Sequence, residues 1–71
     1  MADARIARLV NDIAVQFAHQ PLPVAAESVA RHVITFWEPR MRAALLAMPA
    51  AATEELDERA KAALVLIRRG G

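Results

Sequence analysis

Few side chains in this sequence could do chemistry. They are His19 and His32, the hydroxyls of Ser28, Thr35 and Thr53, and an acidic cluster of Glu54, Glu55, Asp57 and Glu58. A metal centre needs three or four donors at matched spacing. The two histidines fall on different helical segments, no third ligand stands at a recognisable interval, and there is no cysteine. A hydrolytic site needs a nucleophile, a base and an orienting group held together. Thr53 reads instead as a helix cap, while Ser28 and Thr35 fall on the polar side of a helix. A loop that cradles phosphate needs glycine, and none precedes Gly70. The acidic cluster reads as the charged first turn of a helix, where carboxylates meet the positive end of the dipole. No catalytic, cofactor-binding or metal-ligating residue is therefore expected in this chain.

One stretch does more than build a helix. Phe36-Trp37-Glu38-Pro39-Arg40-Met41-Arg42 places the single tryptophan, a second aromatic, a helix-breaking proline and two arginines at one corner. Two readings are open and compatible. Trp37 and Phe36 serve the core while Pro39 starts a helix, or the corner is an exposed anchor, since aromatic and arginine side chains are enriched where binding energy concentrates. His32, four residues before Phe36, shares its flank of the helix. Pro39 fixes the turn, so Arg40 and Arg42 fall in the first turn of the next helix, where a cation gains nothing from the dipole. Arg40 reaches outward and Met41 inward.

The elements that position this corner follow from periodicity. The spacing of Ile6, Leu9, Val10, Ile13 and Phe17 predicts a helix from about Ala4 to Ala18, with Asp3 as cap and Val15 facing water. His19-Gln20-Pro21-Leu22-Pro23 is a break. A second helix runs from about Val24 to Trp37 on a stripe of Ala26, Val29, Ala30, Val33 and Trp37. Ala25, Ile34 and Phe36 widen that stripe to about half the circumference, more than one small core needs. Pro39 opens a third helix carrying Met41, Ala44, Leu45 and Met48, with Leu46 pointing elsewhere. Pro49 and Ala50-Ala51-Ala52 form a linker. Thr53 then caps a fourth helix on the stripe Leu56, Ala60, Ala63, Leu64 and Ile67. Arg68 and Arg69 suit its last turn, and Gly70 closes it. The expected architecture is all-α: one domain over residues 1–71, a small bundle of three to four short helices.

Composition sharpens the functional reading. A chain of 71 residues buries only about 60% of the surface it exposes when unfolded, and without cysteine no disulfide staples it. A protein partner is the staple that remains. Nine basic against eight acidic residues leave a net charge of +1, too balanced for the basic stripe that nucleic acid demands. No apolar run approaches the roughly 20 residues of a membrane span. The opening residues lack the layout of a signal peptide, which makes the cytoplasm the expected location.

The run Ala30-Arg31-His32-Val33-Ile34-Thr35-Phe36-Trp37-Glu38-Pro39-Arg40-Met41-Arg42 resembles the signature of the delta subunit of NAD-dependent formate dehydrogenase. There a helix ends in His-Ile/Val-x-x-Phe-Trp-Asp/Glu-Pro-Arg-Met-Arg. Leu9-Val10-Asn11-Asp12-Ile13-Ala14 and a last helix led by Leu56 are similar as well, so the resemblance spans nearly the whole chain. It implies a non-catalytic accessory subunit of a cytoplasmic complex that oxidises formate and passes electrons through iron–sulfur clusters and FMN to NAD. The partners would be the large subunit, which holds a molybdenum or tungsten pterin, and its electron-transfer subunits. Docking on that large subunit would stabilise it or support cofactor insertion, through His32, Phe36, Trp37, Glu38, Pro39, Arg40, Met41 and Arg42. A regulatory adaptor for an unrelated client is the alternative, and the protein that co-purifies with the chain separates the two.

Overall fold

The structure, a computed structural model, describes residues 2–70 and the side chains of residues 4–70. Five helices follow one another: α1 (Ala2–Gln16), α2 (Leu22–Phe36), α3 (Pro39–Leu46), α4 (Ala50–Thr53) and α5 (Glu58–Gly70). No strand occurs among the described residues, so the expected all-α class is found. The helices number five, against the three or four expected.

The additional helix is α4, a single turn where a linker was expected. Pro49, with φ −62° and ψ 154°, stands at its N-cap, and the three alanines after it favour helix. Thr53 is the last residue of α4 and does not cap the next helix. Its hydroxyl donates back to the Ala50 carbonyl at 2.9 Å. The cap of α5 is Asp57, whose Oδ1 accepts the Arg59 backbone N–H at 2.9 Å and thereby satisfies one orphan donor of the first turn. The carboxylate is the better acceptor for this task, so α5 starts at Glu58. Glu54 and Glu55 are consequently left in the turn before it.

Other boundaries moved for similar reasons. Pro23 lies inside the first turn of α2, where its missing N–H is no loss. At the far end α5 runs through Gly70, its last residue. The cap expected of Asp3 rests on a side chain outside those described.

α2 and α5 form the most extensive helix pair, and α1 packs on α2, α3, α4 and α5. Alanines at Ala26, Ala30, Ala60 and Ala63 are all buried, and small side chains let neighbouring helix axes approach closely. The largest fully buried side chains are Leu45, Val10, Val29 and Val33. None is aromatic. Leu46, expected to point away, packs against this core instead. An arginine closes the end of α3: Arg68 Nη2 of α5 donates to the Leu46 carbonyl at 3.1 Å. Asn11 Oδ1 of α1 accepts the Asp57 backbone N–H at 2.8 Å, which fixes the start of α5 against α1. Among the described residues no helix is long and apolar enough to cross a membrane.

Candidate functional site

The corner between α2 and α3 is built by Pro39. A residue preceding proline is pushed out of the helical region, and Glu38 is extended at φ −64° and ψ 149°. Trp37 is extended too, at φ −82° and ψ 141°. Its N–H still donates to the Val33 carbonyl at 3.0 Å, while the Arg42 N–H donates to the Glu38 carbonyl at 3.0 Å. The chain therefore turns a corner within two residues, Trp37 and Glu38.

The turn sorts the corner's side chains. Trp37 and Met41 are half-buried and pack against the core. Glu38, Pro39 and Arg40 are exposed. Arg42 is half-buried and occupied: its Nη1 donates to the Ile34 carbonyl at 3.3 Å, one of the carbonyls that the end of α2 leaves without an intrahelical partner. Arg42 thus has a local use, contrary to expectation, whereas the Arg40 side chain makes no hydrogen bond or ion pair among the described residues.

Phe36 is the anomaly. On a 3.6-residue wheel it falls between Ala25 and Val29, both fully buried. It is nevertheless 72% exposed, although Val33 in the same last turn of α2 is fully buried. Its one aromatic neighbour is His32, with ring centroids 4.9 Å apart and planes tilted by 44°. Ile34, on the other edge of the widened stripe, is 49% exposed. Two shallow grooves flank the outer ridge of α2. One, of about 380 Å³, is lined by Phe17, Ser28, Arg31, His32, Thr35 and Phe36. The other, of about 410 Å³, is lined by Glu27, Ala30, Arg31, Ile34, Thr35 and Leu66. Sequence reasoning did not single out Arg31 or Phe17 here. The signal available was the excess width of the α2 stripe, which identifies a second surface but not its walls.

The remaining polar residues do structural work. Ser28 Oγ donates to Gln20 Oε1 at 2.9 Å, bracing the turn between α1 and α2. His19 lies in that turn, exposed. Among the described residues no polar or charged residue is buried, and no three His, Cys, Asp or Glu side chains gather as a metal would require. What the corner offers is an aromatic side chain beside arginines on an apolar ridge, chemistry suited to seating another protein.

The family model described as NADH-dependant formate dehydrogenase delta subunit FdsD matches residues 5–64. The matched span holds α2, α3 and α4 entire, together with the Phe36–Arg42 corner. No curated protein and no solved structure matches the chain.

Proposed function

Since this chain belongs to the family of NADH-dependent formate dehydrogenase delta subunits, we propose that it is a non-catalytic accessory subunit docking on the large, pterin-bearing subunit of a cytoplasmic complex. Its role there is to hold the large subunit in a competent state, either as a stabiliser or while cofactor is inserted. The redox centres belong to the partner chains. The donor set supports that division, because a chain without cysteine cannot supply thiolates to an iron–sulfur cluster. Its carboxylates and imidazoles do not cluster among the described residues either.

The observation that carries the docking reading is Phe36, exposed at 72% in the same sector of α2 that is fully buried at Val29, two turns earlier. A phenyl ring left in water at the end of an otherwise covered stripe gains free energy when a partner covers it. The test is to co-express the tagged full chain with the other subunits of its formate dehydrogenase and to measure the affinity of reconstituted complexes. Phe36→Ala is expected to weaken assembly by about 10- to 100-fold, the loss typical of a hot-spot aromatic. Formate oxidation should fall in step with occupancy. A wild-type chain that recovers no formate dehydrogenase subunit refutes the accessory reading, and wild-type affinity in the Phe36→Ala variant refutes the corner as anchor.

A further inference from the structure

A third groove, of about 280 Å³, lies between α1 and α3 and is lined by Arg5, Ile6, Arg40, Met41 and Ala44. Ile6 is buried while Met41 and Ala44 are half-buried, so these three make the floor. Arg5 and Arg40 are exposed and make the rim. Among the described residues no carboxylate lines the groove. Among the described residues the one ion pair is Arg59–Asp57, on a different part of the surface. Arg40 and Met41 also belong to the Phe36 corner, so the groove continues that surface onto α1.

Charge and floor together select the occupant. Two guanidinium groups on the rim of one apolar seat carry like charge, and neither has an ion-pair partner among the described residues. Arg40 in addition stands in the first turn of α3, where the dipole opposes a cation. A carboxylate between the two relieves both penalties and matches the planar fork of arginine. Phosphate backbones fit poorly, since the floor is apolar and the net charge is only +1. We propose that this groove receives a segment of the partner subunit in which an Asp or Glu carboxylate adjoins an apolar side chain. The apolar group seats on Ile6, Met41 and Ala44, and Arg5 and Arg40 clamp the carboxylate. The inference rests on the docking reading above and adds the second contact and its chemistry.

The experiment uses the full chain with the other subunits of the complex. Arg5→Ala with Arg40→Ala should weaken assembly at least ~10-fold, and the corresponding double change to Glu at least ~100-fold. The wild-type complex should lose affinity with rising salt more steeply than the double alanine variant. Both positions are exposed on helices, so each variant should keep the helical circular dichroism of the parent. A second route does not depend on affinity: in the Arg40→Lys variant a water-soluble carbodiimide should join position 40 to an Asp or Glu of the large subunit. Wild-type affinity and salt dependence in the double alanine variant, while Phe36→Ala still weakens assembly, overturn the groove and leave the docking reading standing. A cross-link to a second copy of this chain also overturns it. Failure of the wild-type chain to join the complex refutes the docking reading itself.

Discussion

Arg40 and Arg42 stand two positions apart in the first turn of α3, and their surroundings differ. Arg42 reaches back to the Ile34 carbonyl at 3.3 Å, where a cation meets the negative end of the α2 dipole. Arg40 is exposed at the rim of an apolar groove. The two substitutions should therefore separate. Arg42→Ala is expected to lower the stability of the isolated chain by about 0.5–1 kcal/mol, the range for a partly exposed, charge-assisted hydrogen bond. Arg40→Ala should leave stability within a few tenths of a kcal/mol, as surface changes usually do. Urea midpoints of the two variants decide this, and an inverted order would remove the assigned roles. The arginine-rich corner was legible as a motif from residue types alone. Which arginine the fold consumes depends on where the end of α2 lies relative to α3, and sequence spacing does not encode that.

At the scale of elements, caps decide more than periodicity does. The N-termini of α2, α3 and α4 carry no side-chain cap. That of α5 is held by Asp57, whose carboxylate accepts the Arg59 N–H and pairs with the Arg59 guanidinium at 3.0 and 2.9 Å. Its own N–H is bound by Asn11 of α1. Asp57→Ala is expected to cost about 1–2 kcal/mol, chiefly through the lost cap, with a smaller share from the ion pair, which is partly exposed and screened. In a domain of this size each kcal/mol moves Tm by roughly 4–8 °C. Thermal unfolding followed by circular dichroism measures the shift, and a Tm within 2 °C of the parent (about half a kcal/mol on the same scale) would contradict the assignment. Asp57→Asn should retain most of the stability, because the amide oxygen still caps. The expectation that Thr53 would cap this helix failed because Thr, Glu and Asp recur across residues 53–58. Several starts satisfy the local rule, and the contact with Asn11 selects one of them.

Across the whole molecule, no aromatic side chain is fully buried, although Phe17 and Trp37 pack against the core from its edge. The fully buried positions are aliphatic and small, with alanine at Ala14, Ala25, Ala26, Ala30, Ala60 and Ala63. Phe17 and Trp37 are half-buried, and Phe36 is exposed. Aromatic side chains dominate burial energy where they are enclosed, so this bundle draws only part of what its three could contribute. A 71-residue chain free of cysteine has little else to compensate. The isolated chain is therefore expected to unfold at or below about 60 °C, within the ordinary mesophile range. The partner should raise that temperature in a concentration-dependent way, because it binds only the folded form. Differential scanning fluorimetry with and without the large subunit makes the measurement. A sharp transition well above 60 °C for the monomer alone would sink this account.

The sequence by itself determined the class of fold, the stripes that form the core and the corner that draws attention. Alanine-rich periodicity near 3.6 residues leaves helix as the only regular structure that buries Ile6, Val10 and Ile13, or Ala60, Leu64 and Ile67, on one face. Proline fixes the corner at Glu38 and Pro39, since its ring acts on the adjacent backbone whatever the rest of the chain does. Only the tertiary structure decided how far each stripe is covered. Ala25 and Phe36 share a sector of α2 and would be assigned alike from the pattern, yet one is buried and the other lies in water. The difference arises because the packed helices cover only part of each turn: in the last turn of α2 they bury Val33 and leave Phe36 in water. Exposure at a helix end is a property of the neighbours, which no local spacing reports. The same holds for the groove between α1 and α3. Arg5 and Arg40 come to one rim because α1 packs on α3, a contact between segments far apart in the chain.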